Sequence, residues 1–162
     1  MARLHTVHTY PADVESVFDL VRDPAFRTAS CAAQGSTEHD VSVQPDGEAV
    51  TVTITRLQTA PVPDFVKVIV GEQAKVTQTE RWAAPDADGT RTAQVDVVIH
   101  GQPAGMKGTA TLRRLSNGDT EFAVAGEVKV AVPFLGRRFE PPIVAAIVDS
   151  VEQDVALGTA RL

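Results

Sequence analysis

Ionisable side chains that share a strand phase with apolar neighbours are the first candidates for chemistry, because strand alternation would turn them toward an interior. Glu80 is one, since Val76, Gln78, Glu80 and Trp82 fall on one face, opposite Lys75, Thr77, Thr79 and Arg81. Arg56 is another, in phase with Val50, Val52 and Ile54 while Thr51, Thr53 and Thr55 point the other way. If the valine faces are inward, Glu80 and Arg56 could pair at a cavity mouth. Both also lie near strand ends, from which they could reach solvent. An inward carboxylate is costly without a partner, which makes Glu80 the first polar cavity candidate. Glu140 is the third. A helix beginning before Pro141 would put Glu140 in its apolar stripe and aim it at the cavity. A helix beginning at the prolines would leave Glu140 flanking the start, where a carboxylate suits the positive end of the dipole.

The other chemistry-bearing residues form no constellation. His5 and His8 are separated by three residues, and an odd separation on a strand points them to opposite faces, away from a shared metal. Asp96 and His100 share a face but stand about 13 Å apart along a strand. Cys31, the one cysteine, lies among small residues with no histidine beside it and reads as a packed thiol. There is no Gly-x-Ser-x-Gly elbow, and Gly101, Gly105 and Gly108 are wrongly spaced for a phosphate loop. The expectation is no metal, no cofactor and no catalytic residue.

Composition narrows the partners. The 162 residues carry a net charge of −6, which gives no basic footprint for nucleic acid or anionic headgroups. No apolar run approaches the roughly 20 residues of a membrane span, and the first ten residues lack the apolar block of a signal peptide. A soluble cytoplasmic protein without membrane insertion is expected. Valine (24) and alanine (22) dominate, against one Trp, one Tyr and six Phe; this suits half-buried strands better than a helical bundle.

The elements that must position Glu80 and Arg56 follow from periodicity and turn chemistry. A strand over residues 3–10, with Leu4, Val7 and Tyr10 apolar in imperfect phase, precedes two short helices. The first carries Val14, Val17, Phe18 and Val21 on one face. The second starts at Asp23-Pro24, an N-cap followed by a first-turn proline. Six strands are predicted at 36–44, 49–57, 73–83, 90–99, 106–115 and 120–131, joined mostly by Gly, Pro, Asn and Asp turns that make neighbours antiparallel. A short helix at 63–70 interrupts them. A long helix at 143–162 ends the chain, its stripe built on Ile143, Ile147, Val151 and Val155. Pro141-Pro142 starts it or kinks it away from a turn at 134–139. One domain is expected. Only the last helix is large enough to cover the apolar face of such a sheet.

This order resembles the helix-grip fold of the START-like (SRPBCC) superfamily, which includes lipid-transfer domains, plant pollen-allergen proteins and polyketide aromatase/cyclases. Glu80-Arg81-Trp82, Gly105-Met106-Lys107-Gly108 and the stretch from Gly126 to Gly136 with Glu140 behind it resemble an uncharacterised domain family of high-GC bacteria within that superfamily. The Pro141-Pro142 pair departs from the pattern. The resemblance implies an α+β fold with a curved seven-stranded antiparallel sheet wrapped around a long C-terminal helix, two short helices after the first strand, and a hydrophobic cavity. By phase, that cavity would be lined by Val52, Ile54, Val76, Trp82, Val97, Ile99, Met106, Leu112, Phe122, Val124, Ile147 and Val151. Phe65 and Ile69 would act as a lid, and Arg56, Glu80 and Glu140 as polar groups. The expected partner is a small hydrophobic molecule such as a lipid, isoprenoid or polyketide-like compound. Two alternatives remain at this point: a cyclase or dehydratase using Glu80 as acid or base, and a protein-interaction module with a filled core.

Overall fold

The computed structural model describes residues 1–162. Strand β1 (Ala2–Tyr10) is followed by α1 (Val14–Val21), α2 (Pro24–Ala33), β2 (Glu38–Asp46), β3 (Ala49–Thr59), α3 (Asp64–Val70), β4 (Gln73–Trp82), β5 (Arg91–Ile99), β6 (Ala104–Arg114), β7 (Thr120–Val130) and α4 (Gly136–Thr159). The seven strands form one antiparallel sheet in the order β1-β7-β6-β5-β4-β3-β2, so β1 crosses over to pair with β7. The long helix packs against β1 and β7. This is the α+β helix-grip architecture.

Local chemistry explains the helix starts. Asp13 caps α1 by accepting from the Ser16 N–H at 3.2 Å, and Asp23 caps α2 by accepting from the Ala25 N–H at 2.9 Å, with Pro24 in the first turn. Each cap satisfies an N–H that the helix cannot. Helix α1 buries Val14, Val17, Phe18 and Val21. Phe18 meets the Trp82 ring edge-on at 5.7 Å and is covered by the Arg91 guanidinium, which is held by Glu15.

Strands β6 and β7 approach closely at a pair of glycines. Gly108 and Gly126 are register partners, and a Cβ on Gly108 would stand 2.1 Å from the Ala125 carbonyl oxygen. Only a hydrogen side chain permits that contact. At the far end Gly158 gives the last turn of α4 its approach to Tyr10, Leu20 and Phe26.

The structure resolves the imperfect phase of β1 and corrects the start of the last helix. On β1 the inward residues are Leu4, Thr6, His8 and Tyr10, and Val7 points out at 47 % exposure. Thr6 hydrogen-bonds His8 at 2.7 Å, so strict alternation prevails over hydrophobicity. The last helix begins at Gly136, not at the prolines, and contains both Pro141 and Pro142. These residues lack the N–H groups that would have bonded the carbonyls of Arg137 and Arg138. Both arginines are exposed, so water can take those carbonyls and the helix continues.

Candidate functional site

Between the inner face of the sheet and α4 lies a cavity of about 260 Å³. Its sheet wall includes Val76, Trp82, Val95, Val97, Ile99, Met106, Phe122 and Val124, and α4 contributes Ile143, Ala146, Ile147 and Val151. Asp149 and Gln153, also on the wall, are exposed; they mark the mouth along the solvent edge of α4. Val70 and the approach to α3 from Ala60 to Val62 close one end.

Of the residues predicted to line it, Arg56, Val76, Glu80, Trp82, Val97, Ile99, Met106, Phe122, Val124, Ile147 and Val151 stand on the wall. Val52, Ile54 and Leu112 do not. They face inward and are almost fully covered; α1 packs on β6, which carries Leu112, and α2 packs on β2, the strand paired with β3. Phe65 and Ile69 are also off the wall. Helix α3 turns Val66 and Val70 into the protein, which leaves Phe65 38 % exposed, beside Phe139 at 5.9 Å. Glu140 lies outside the cavity as well. Within the early turns of α4 it is 3 % exposed and accepts the Val130 N–H at 2.9 Å. Burial pushes its carboxyl up, but this bond and nearby positive charge outweigh burial and hold it below the usual range.

Glu80 does turn inward, at 5 % exposure, but its partner is not Arg56. In the β3–β4 register Glu80 sits opposite Val52 and Arg56 opposite Val76. Four strand positions, about 13 Å, separate them on the same face. Glu80 is instead gripped by Arg27 of α2, through bonds of 3.1 and 2.5 Å to its two oxygens. The Trp82 indole donates to Oε1 at 3.0 Å and the Gln78 amide to Oε2 at 2.5 Å. Burial pushes the Glu80 carboxyl up, yet the Arg27 charge and these bonds more than reverse it, so its pKa lies below the ordinary value. With four donors on two oxygens, this carboxylate has no lone pair free for a substrate proton. It is a poor general acid or base.

Sequence reasoning missed the groups that complete the polar end. Asp154 of α4 accepts from Ser30 (through Oγ) and from the Gln34 amide at 2.6 Å, both on the same oxygen, Oδ1. Ser150 donates through Oγ to the side-chain amide oxygen Oε1 of Gln34 at 2.6 Å. Burial pushes the Asp154 carboxyl above its usual value, and Glu80 adds to this, against the pull of Arg27, Ser30 and Arg56. Tyr10 also faces the cavity; burial and the charges of Asp154 and Glu80 hold its hydroxyl firmly protonated. Helical spacing carried the signal. Arg27, Ser30, Cys31 and Gln34 fall at i, i+3, i+4 and i+7, as do Ile147, Ser150, Val151 and Asp154. Cys31 is buried, which raises its thiol pKa more than Arg56 and Arg27 lower it.

A carboxyl whose pKa is raised in the folded state favours folding below its unfolded value, and that contribution is lost as pH rises through the folded value. Asp154→Asn removes this dependence while its amide oxygen still accepts from Ser30 and Gln34. The variant should therefore melt higher than the parent near pH 7, and the difference should vanish near pH 3 in thermal unfolding followed by circular dichroism.

A twisted antiparallel sheet closed over one long helix, with an apolar cavity between them, defines the class as helix-grip. Within that class the chain belongs to the family described as a protein of unknown function, DUF2505, which it matches over residues 5–162. No curated protein matches its sequence. Among solved structures it is similar to TTHA0849 from Thermus thermophilus, at TM-score 0.65 and 13 % identity over 99 % of this chain and 96 % of that one. The Zhui aromatase/cyclase from Streptomyces sp. R1128 gives TM-score 0.60 at 10 % identity, covering 99 % and 92 %. The lipid transfer and protein localization domain of human StarD13 gives TM-score 0.58 at 10 % identity, covering 94 % and 75 %. At these identities the likeness is one of fold. No helix is long and apolar enough to cross a membrane.

Proposed function

We propose that this protein binds and carries a small, largely apolar molecule between its sheet and α4, in the cytoplasm. The observation that carries the reading is the cavity itself: about 260 Å³, walled mainly by aliphatic and aromatic side chains, with a few charged and amide groups among them. Ligand sites have this composition, and the volume lies just below the roughly 300–1,000 Å³ of pockets for drug-sized ligands. A short chain or one- to two-ring compound suits it better than a diacyl lipid. The likeness to a lipid-transfer domain and to an aromatase/cyclase supports an apolar cargo. A free buried Cys31 suits a reducing compartment. The void argues against a module that acts through its surface over a filled core.

Native mass spectrometry of the full chain, with mixtures of short fatty acids, isoprenoids and aromatic ketides, tests the proposal. Retention of a stoichiometric adduct supports it. A bare chain mass throughout, with no displacement of a fluorescent apolar probe, defeats it.

One observation favours catalysis as a second reading, and it concerns Asp154 rather than Glu80. Its pKa is raised, and both of its hydrogen bonds fall on Oδ1, which leaves Oδ2 without a partner and able to carry a proton. A cyclisation or dehydration of a bound ketide would then be lost in Asp154→Asn while binding persists.

A further inference from the structure

Of the two arginines on the cavity wall, Arg56 is the one without a carboxylate partner. Arg27, also on the wall, is tied to Glu80. Arg56 makes no ion pair; it lies beside the buried Cys31 thiol, whose pKa it lowers, and its Nε is sealed from solvent without an acceptor. Its charge acts on Asp154 across the cavity, lowering that carboxyl's pKa, yet the two groups do not bond. Two residues further along the same face of β3, Gln58 presents a second orphan, a buried Oε1 with no donor. Both belong to the cavity wall. Buried polar atoms are almost always satisfied, so two orphans in adjacent inward positions of one strand mark a place where something else supplies the partners.

We infer that the ligand carries a carboxylate head, received by the Arg56 guanidinium with the Gln58 amide beside it, while its apolar body lies along Val97, Met106, Phe122 and Val151. This rests on the carriage reading and adds the head group to it. The planar guanidinium fork matches a carboxylate in geometry and charge. A dianionic phosphate is a worse match, because Glu80 and Asp154 also line this space and Glu80 is held ionised. A neutral alcohol would satisfy the Gln58 oxygen but leave the guanidinium charge unanswered. A carboxylate has no hydrogen to give the Gln58 Oε1, but the amide can turn so that its nitrogen takes that position and donates to the head group, which moves the oxygen out of the unpartnered place.

Isothermal titration of the full chain with octanoate, 1-octanol and 3-phenylpropanoate separates the possibilities. Octanoate should bind about tenfold more tightly than octanol, as a charge-assisted bond supplies. In Arg56→Gln the two should come within about threefold of each other, and Arg56→Lys should keep part of the preference. Gln58→Met should weaken octanoate less than Arg56→Gln does, and serves if the arginine variants fail to fold. Comparing octanoate with 3-phenylpropanoate distinguishes a fatty acid from an aromatic acid as the source of the head group. Equal binding of octanoate and octanol, or a carboxylate preference that survives Arg56→Gln, overturns the head group and leaves the carriage reading intact. Failure of all three to bind while the fluorescent apolar probe still enters overturns the head group alone; failure of the probe as well overturns both.

Discussion

Replacing Arg27 by methionine should lower the melting temperature by roughly 6 to 20 °C. Breaking one side of a buried ion pair costs about 3–5 kcal/mol, and each kcal/mol shifts a domain of this size by about 2–4 °C. The loss comes from Glu80, which is 5 % exposed and would keep the Trp82 and Gln78 bonds while losing its counter-charge. The pH dependence should change sign. In the parent, the Glu80 pKa is held below its ordinary value of 4.5, so its contribution is present above that value and lost as pH falls through the folded one. Without Arg27, burial raises the carboxyl instead, and the variant should lose stability as pH rises through the carboxylate range. Urea denaturation at about pH 4 and pH 7 reads both effects, and the deficit should be smaller at the lower pH. The double variant Arg27→Met, Glu80→Leu should recover much of the loss, because replacing a buried pair with apolar groups is often nearly neutral. Equal stability of Arg27→Met and the parent near pH 7 would show that the pair does not hold α2 to β4.

That same pair marks the limit of what the sequence conveys. Period-two alternation and the Gly, Asn and Asp turns placed all seven strands within a few residues, since each signal is local. Glu80 could be read as inward because its phase matches Val76 and Trp82. Its partner could not be read, because pairing depends on register and on where α2 lands. Arg56 shares the inward phase but sits opposite Val76, whereas Arg27 is 53 positions away in sequence and arrives on another element. Asp154 was overlooked for a different reason. Its helical spacing from Ile147 and Val151 was available, but an apolar stripe found by searching for apolar residues omits the polar residue within it. The start of α4 was misplaced because two consecutive prolines normally mark a helix boundary, and here exposed carbonyls let the helix run through them.

A bulky side chain placed in the void tests whether the cavity is lined or merely imperfectly filled. Val97 stands on the wall, is only partly buried, and pairs across strands with Gln78 and Met106. In a packed core, Val97→Phe would force neighbours out of their rotamers and cost about 1–3 kcal/mol. With about 260 Å³ open beside it, the added ring has room, and it gains the contacts that an empty wall lacks. The expected result is an unchanged or higher melting temperature together with at least a tenfold loss of affinity for an apolar probe. These two readouts must move apart. Stability and binding falling together would mean that the ring had disrupted the fold. Stability falling with binding intact would mean that the ring never entered the void and that the ligand lies elsewhere. A ring that stabilises the protein while excluding the probe would show that the small valine and alanine side chains keep space open for a ligand, at a cost to packing that a structure selected for stability alone would not bear.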